Sequence, residues 1–208
     1  MNCTLCNNKT TLFSEYQERA FYICNNCETV LLHPDYYLNN QEEKGRYDLH
    51  SDDVNAVGYQ NFVKPITDEV SRSFTKNDKG LDFGCGKTEI VKYVLEQQGF
   101  DIKGYDPFYF NDKQLLKAKY NYITSCEVIE HLYQPKAVFE QLYSMLLPGG
   151  KLFLKTSLYD LELDFEKWWY KNDPTHVTLY TPKSLEFIKE SMGFTSLEIS
   201  KKLIVLGR

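Results

Sequence analysis

The sequence contains no run of 18 apolar residues, so no membrane-spanning helix is expected. Its start, Met1-Asn2-Cys3-Thr4, lacks a basic stretch followed by an apolar one, so no secretion signal is expected and the reading is a cytoplasmic protein. A surplus of basic residues is missing as well: 24 Lys and Arg against 29 Asp and Glu give a net charge of −5. Without clustered cations, affinity for a phosphate backbone has no source, so nucleic acid is not an expected partner. No internal repeat or low-complexity tract is visible. What the 208 residues do contain is ordinary for a globular chain, with 42% hydrophobic and 25% charged residues. That length allows one α/β core with a small appendage and is too short for two large domains. Aromatics, at 15%, suit either an aromatic-lined pocket or core filling.

Six cysteines in a reducing compartment read as metal ligands or packing residues before they read as disulfides. Four lie within residues 1–33, as Cys3-Thr4-Leu5-Cys6 and Cys24-Asn25-Asn26-Cys27, with 17 residues between the pairs. Each CxxC turn places two sulfurs on one side of a tight loop, and two such turns complete a tetrahedral shell for zinc. Thr11–Phe13 and Ala20–Ile23 read as the strands of a hairpin between them. So small a segment buries too little to fold alone, and the metal would supply the folding energy. Two redox dithiols are the alternative, although one thioredoxin-like motif would come without the second pair. The expectation is a zinc ribbon over 1–33, with Cys3, Cys6, Cys24 and Cys27 closing a structural Zn2+ site.

Residues 34–79 read as a polar linker and a helical segment. Helical periodicity runs from Asp52 to Phe74, and Pro65 is expected to end or kink that helix. Tyr47, His50 and Tyr59 could fold over the main domain as a lid, or merely pack. From residue 80 onwards strands alternate with helices. Strands are expected at Gly80–Phe83, Phe100–Tyr105, Tyr122–Cys126 and Lys151–Thr156, and a closing pair at Ser196–Ser200 and Leu203–Gly207. Helices are expected at Glu89–Gln98, Pro135–Leu147 and Pro182–Met192, the first and last stopped by Gly99 and Gly193. Residues 80–208 thus read as an α/β domain with a mostly parallel, twisted sheet.

The first of these strands opens into Gly84-Cys85-Gly86, a strand–turn–helix arrangement that brings a cofactor close to backbone amides. Asp106 closes the next strand, 20 residues beyond Gly86, where a carboxylate can accept both hydroxyls of a ribose. The third glycine of a dinucleotide fingerprint is absent: Thr88 stands in its place, which counts against a nicotinamide enzyme.

Four runs, Leu81-Asp82-Phe83-Gly84-Cys85-Gly86, Gly104-Tyr105-Asp106, Cys126-Glu127-Val128-Ile129-Glu130-His131-Leu132 and Leu147-Pro148-Gly149-Gly150-Lys151-Leu152, resemble the successive motifs of class I S-adenosylmethionine-dependent methyltransferases. They come in that family's order and span roughly 80–208. The Glu-Val-Ile-Glu-His-Leu run looks like that of small-molecule O-methyltransferases of quinone biosynthesis. The four-Cys unit, with Trp168-Trp169-Tyr170 and Asp173-Pro174-Thr175-His176, is similar to bacterial methyltransferase-like proteins of unassigned substrate. The resemblance implies a Rossmann-like fold, S-adenosylmethionine as cofactor, and methyl transfer to a small-molecule oxygen or carbon nucleophile. It also implies that Asp82, Phe83, Gly84, Cys85 and Gly86 hold the methionine end and Asp106 the ribose. Cys126 and Glu127 would line the floor beside the sulfonium, with His131 structural or adjacent to the cofactor.

Only 15 residues separate Asp106 from Tyr122, hardly room for a helix and a strand, so the third strand of such a sheet is expected to be shortened or missing. Pro107-Phe108-Tyr109-Phe110 could then supply an adenine-stacking surface, or cover a sheet edge. The candidate catalytic residues are His176, Glu127 and Tyr170. His176 is the first choice of general base, with a hydrogen-bonded holder of its loop as the alternative, and the two Trp read as pocket lining or packing. Two rival functions stay open. One is a methyltransferase acting on RNA or protein, with the ribbon as docking module and a basic patch at Lys64, Arg72, Lys76 and Lys79. The other is a non-catalytic scaffold that retains the cofactor fold.

Overall fold

The computed structural model describes residues 1–49, 53–201 and 203–208. His50, one of the lid candidates, and Asp52, the expected start of the second helix, lie outside the described residues. The chain begins with three short antiparallel strands, β1 (Thr10–Tyr16), β2 (Arg19–Cys24) and β3 (Val30–Leu32). Two helices follow, α1 (Asn40–Asp48) and α2 (Val57–Ser73). Next come β4 (Lys79–Phe83), α3 (Ile90–Gln97), β5 (Asp101–Tyr105), β6 (Tyr120–Cys126), α4 (Pro135–Met145) and β7 (Leu146–Lys155). A long connection carries a two-residue strand, β8 (Thr178–Leu179), before α5 (Pro182–Met192), β9 (Ser196–Ile199) and β10 (Ile204–Gly207).

The main sheet has six strands in the order β5-β4-β6-β7-β10-β9. Strands β5, β4, β6 and β7 run parallel, and β10 is antiparallel to both of its neighbours. Its faces follow the two-residue period of a strand. Tyr122, Phe153 and Val205 pack under α2 and α3, against Val63, Ile66, Val70, Ile90 and Leu95. Leu81, Ile123, Leu152 and Leu206 face the other way, with Phe139 and Leu142 of α4 and Leu185 and Ile188 of α5. The expected loss of the third strand is borne out. Between Asp106 and Tyr120 the chain makes a tight hairpin closed by the Asp106–Phe110 bridge and a 3₁₀ turn at Leu115–Lys117, which leaves β5 at the sheet edge.

Two local expectations are corrected. Helix α2 runs through Pro65 without ending there. The carbonyl that loses its hydrogen bond belongs to Asn61 on the exposed face, where water can satisfy it, while Val63, Ile66 and Val70 stay anchored in the core. The stretch read as a polar linker contains α1, which has no apolar face but a complete capping box: Asn39 accepts from Gln41 and Glu42 amides, and Glu42 accepts from the Asn39 amide at 2.9 Å.

The N-terminal strands do not form a sheet by themselves. Strand β3 pairs with β8 from the second half of the chain, giving the order β1-β2-β3-β8. The seam is polar as well as apolar. Thr29 donates to Ser184 at 3.0 Å, Ser184 to the Cys27 carbonyl at 3.2 Å, and Lys183 pairs with Glu28 at 2.8 Å. Phe21, Val30 and Leu32 pack with Tyr159, Phe165 and Trp168 of the long connection.

Candidate active site

A cavity of about 1010 Å³ opens at the carboxyl ends of β4, β5 and β6, where parallel α/β sheets bind ligands. One wall is the turn after β4. Gly84 and Gly86 both have positive φ, at 75° and 62°. A Cβ on Gly84 would come within 2.5 Å of the Val128 side chain, so the turn can lie against the β6 loop only with glycine there. Over Gly86 the space is open, with nothing within 4 Å of where a Cβ would stand. Asp106 is buried, and its carboxylate gathers three backbone amides: Gly86 at 3.1 Å, Phe108 at 2.8 Å and Tyr109 at 3.2 Å. It thereby fastens the β4 turn to the hairpin after β5. Asp82 lies below them, accepting from Thr124 at 2.8 Å, and burial pushes its carboxyl up to about 7.

The opposite wall comes from the loop after β6 and from the long connection before β8. Glu127 is held at φ 52°, a left-handed conformation costly for a residue with a Cβ and often found at functional sites. Its carboxylate lies 3.5 Å from the Lys155 ammonium, and Tyr170 donates to it at 2.9 Å. Tyr170 also hydrogen-bonds the fully buried Glu130. Burial, with each other's charge for Glu127, raises both glutamates above the ordinary carboxylate range. His176, only 7% exposed, donates from Nδ1 to the Tyr170 carbonyl at 2.7 Å; burial lowers its pKa and keeps the ring neutral near pH 7. Its ring packs 4.2 Å from Tyr170 and 4.8 Å from His131.

The cavity therefore brings together every residue that the sequence reading assigned to cofactor or catalysis: Asp82 to Gly86, Asp106, Pro107, Cys126, Glu127, His131, Tyr170 and His176 all line it. Phe108 and Tyr109 line it too, whereas Phe110 turns out beside a smaller surface recess. The tryptophan pair splits. Trp168 is buried among Tyr159, Phe165 and Tyr170, and Trp169 is 68% exposed at the cavity mouth. Helix α1 forms part of the roof, with Tyr47 edge-on to His131 and Phe108 and donating to Glu43 at 2.6 Å. Tyr59 lines the cavity from α2. Reading the sequence missed Glu43, Arg46, Glu130 and Tyr133. The first two ride on a helix without apolar periodicity, whose only signal was its cap.

The four N-terminal cysteines also converge, their sulfurs within 4.8 Å of one another. Cys3 and Cys27 sulfurs are 3.7 Å apart and Cys6 and Cys24 3.2 Å, too far for disulfides and close to the roughly 3.8 Å edge of a tetrahedron with Zn–S bonds of about 2.3 Å.

Among the described residues no helix is long and apolar enough to cross a membrane. A search of curated proteins finds no match. Solved structures do share the fold. Burkholderia thailandensis 1,6-didemethyltoxoflavin-N1-methyltransferase, with 1,6-didemethyltoxoflavin and S-adenosylhomocysteine bound, superposes with a TM-score of 0.58 at 10% identity, covering 95% of this chain and 98% of that one. Magnesium protoporphyrin IX methyltransferase from Synechocystis, with bound S-adenosylhomocysteine, gives 0.54 at 18% identity over 84% and 96%. Human N-acetylserotonin methyltransferase in complex with S-adenosylmethionine gives 0.54 at 14%, over 84% of this chain and 63% of its own. A methyltransferase-domain family profile matches residues 58–199, more than half of the chain. The chain belongs to that family and is an S-adenosylmethionine-dependent methyltransferase of the class I fold.

Proposed function

We propose that this enzyme moves a methyl group from S-adenosylmethionine to a small-molecule acceptor, with oxygen or carbon as the attacking atom. The observation that carries the reading is one cavity with two unlike walls: a glycine turn and ribose-type carboxylate on one side, and an acid and histidine cluster on the other. Asp82, Phe83, Gly84, Cys85 and Gly86 would hold the methionine end. Asp106 would take the ribose, since a carboxylate that accepts three amides still has lone-pair capacity. Pro107, Phe108 and Tyr109 offer the adenine surface that the absent third strand does not. Bound there, the cofactor supplies an electrophilic methyl on a sulfonium, which nearby carboxylates favour.

On the acceptor side Glu127 is the fitter base. It is the more exposed of the acid pair, and its raised pKa brings it nearer to working pH. His176, deeper and fixed by its Nδ1 hydrogen bond, orients that wall. The four-cysteine cluster is read as a structural zinc ribbon, since four thiolates close the shell. The acidic balance and the ion pairs of Lys64 with Asp68 and Arg72 with Glu69 disfavour RNA as substrate.

Calorimetric titration with S-adenosylmethionine and S-adenosylhomocysteine tests the reading. One site per chain is expected, weakened about 10- to 100-fold by Asp106→Ala, the loss of charged hydrogen bonds. Unchanged affinity in the variant removes the ribose assignment, and no binding to the folded wild type removes the reading.

A further inference from the structure

The acceptor wall contains three side chains whose grouping proton transfer alone does not explain. Glu130, His131 and His176 bring one carboxylate oxygen and two imidazole nitrogens within 4.8 Å of one another. They come from separate stretches of chain, the 3₁₀ turn Ile129–His131 after β6 and the loop before β8. Glu130 has no exposed surface, and while one of its oxygens takes the Tyr170 hydroxyl, Oε2 is buried with no hydrogen-bond partner. An orphaned carboxylate oxygen at that depth is costly unless a cation or a proton meets it. Both imidazoles are tethered by Nδ1 to backbone carbonyls, His131 to Thr175 at 3.1 Å and His176 to Tyr170 at 2.7 Å. A carbonyl only accepts, so each Nδ1 carries the hydrogen and the neutral ring has its lone pair on Nε2. That outer contact is the one that orients metal-ligating histidines.

We propose that Glu130, His131 and His176 bind a divalent cation of the Mn2+, Fe2+, Co2+ or Zn2+ type, distinct from the four-cysteine site, and that the acceptor is a hydroxyl compound whose oxygen completes the shell. Two imidazoles with one carboxylate suit these ions better than Mg2+ or Ca2+, which prefer all-oxygen sets. Three protein ligands leave positions open for an acceptor. His131 and His176 line the cavity, and Glu130 lies buried behind its surface, sharing the Tyr170 hydroxyl with Glu127. A metal-bound hydroxyl loses its proton more readily. The proton passes to the Glu127 carboxylate, the freed oxygen lone pair forms the O–CH3 bond, and the pair of the broken C–S bond stays on the cofactor sulfur. The reaction rests on the methyl-transfer reading, whereas binding of the ion does not.

The test is a titration of the zinc-replete chain with MnCl2, followed by the paramagnetic resonance of free Mn2+. About one Mn2+ per chain is expected, with affinity reduced at least about tenfold in Glu130→Gln and in His131→Ala. His131 is only half-buried, so its variant keeps the test open when the buried Glu130 variant does not fold. No uptake of Mn2+, Co2+ or Zn2+ beyond the four-cysteine metal overturns the proposal, as does uptake undiminished in folded His131→Ala. S-adenosylmethionine is titrated into the same samples: cofactor binding without metal uptake overturns the cation site and leaves the methyl-transfer reading standing.

Discussion

Tyr170 has a single hydroxyl proton, yet its oxygen contacts Glu127, Glu130 and Thr156 together. Two ionised glutamates cannot both be served by that one proton. A second proton on one carboxyl resolves the geometry, in keeping with the raised pKa of both acids, and so would a cation beside the pair. Asp82 offers a cleaner case of the same physics, because it stands on β4 and accepts a hydrogen bond from Thr124. Its folded pKa of about 7 lies above the value of about 3.9 for an unfolded Asp. A raised carboxyl holds its proton longer when folded, so stability falls as pH climbs from about 4 through 7, and the cost is complete above that. Asp82→Asn keeps the acceptor oxygen for Thr124 and cannot ionise. Its melting temperature is expected to gain on wild type between pH 5 and pH 8, on the order of 1–4 kcal/mol in stability. Melts that differ equally at both pH values would mean that Asp82 ionises as it does in water.

At the scale of elements, β3 and β8 join the four-cysteine unit to the cavity wall that carries His176. The Leu32 amide donates to the Val177 carbonyl at 3.0 Å, one residue after His176, and the Val177 amide donates to the Glu130 backbone carbonyl at 2.9 Å. The four-cysteine unit is thus two hydrogen bonds from the cavity wall. Cys27→Ser is expected to speed amide exchange across residues 177–180 and to slow turnover, while S-adenosylmethionine affinity holds. Unaltered exchange there would make the four-cysteine unit an independent appendage. None of this pairing was legible in the sequence. Strands of three and two residues carry no period, and their partners stand some 150 positions apart. What was legible had either length or chemistry behind it: the parallel strands, the two CxxC turns, the glycine turn with its distant acid. The missing strand could be inferred by counting residues, because 15 positions cannot hold a helix and a strand. Helix α1 escaped because capping, not amphipathicity, defines it. Its Glu43 and Arg46, which join Tyr133 and Asp173 across the cavity roof, escaped with it.

Across the whole molecule, charge and shape are compatible with the small acceptor proposed above. The two basic residues of α2 that headed the suspected cationic patch are each paired with an acid on the same helix. Tyr47 of α1 and Phe108 cover part of the cavity. The absent third strand has a further consequence, for chemical biology. The sheet ends at β5, and beside the proposed adenine surface stand the Asp106–Phe110 hairpin and the turn at Leu115–Lys117 instead of a further strand. Synthetic cofactors enlarged at the adenine N6 position are therefore expected to compete with S-adenosylmethionine almost as well as unmodified S-adenosylhomocysteine, measured by displacement of a labelled cofactor. A steep loss with each added substituent would mean that the hairpin closes over the base after all. Tolerance would make this chain a starting point for transferring reporter groups under the control of an orthogonal, bulky-adenine donor.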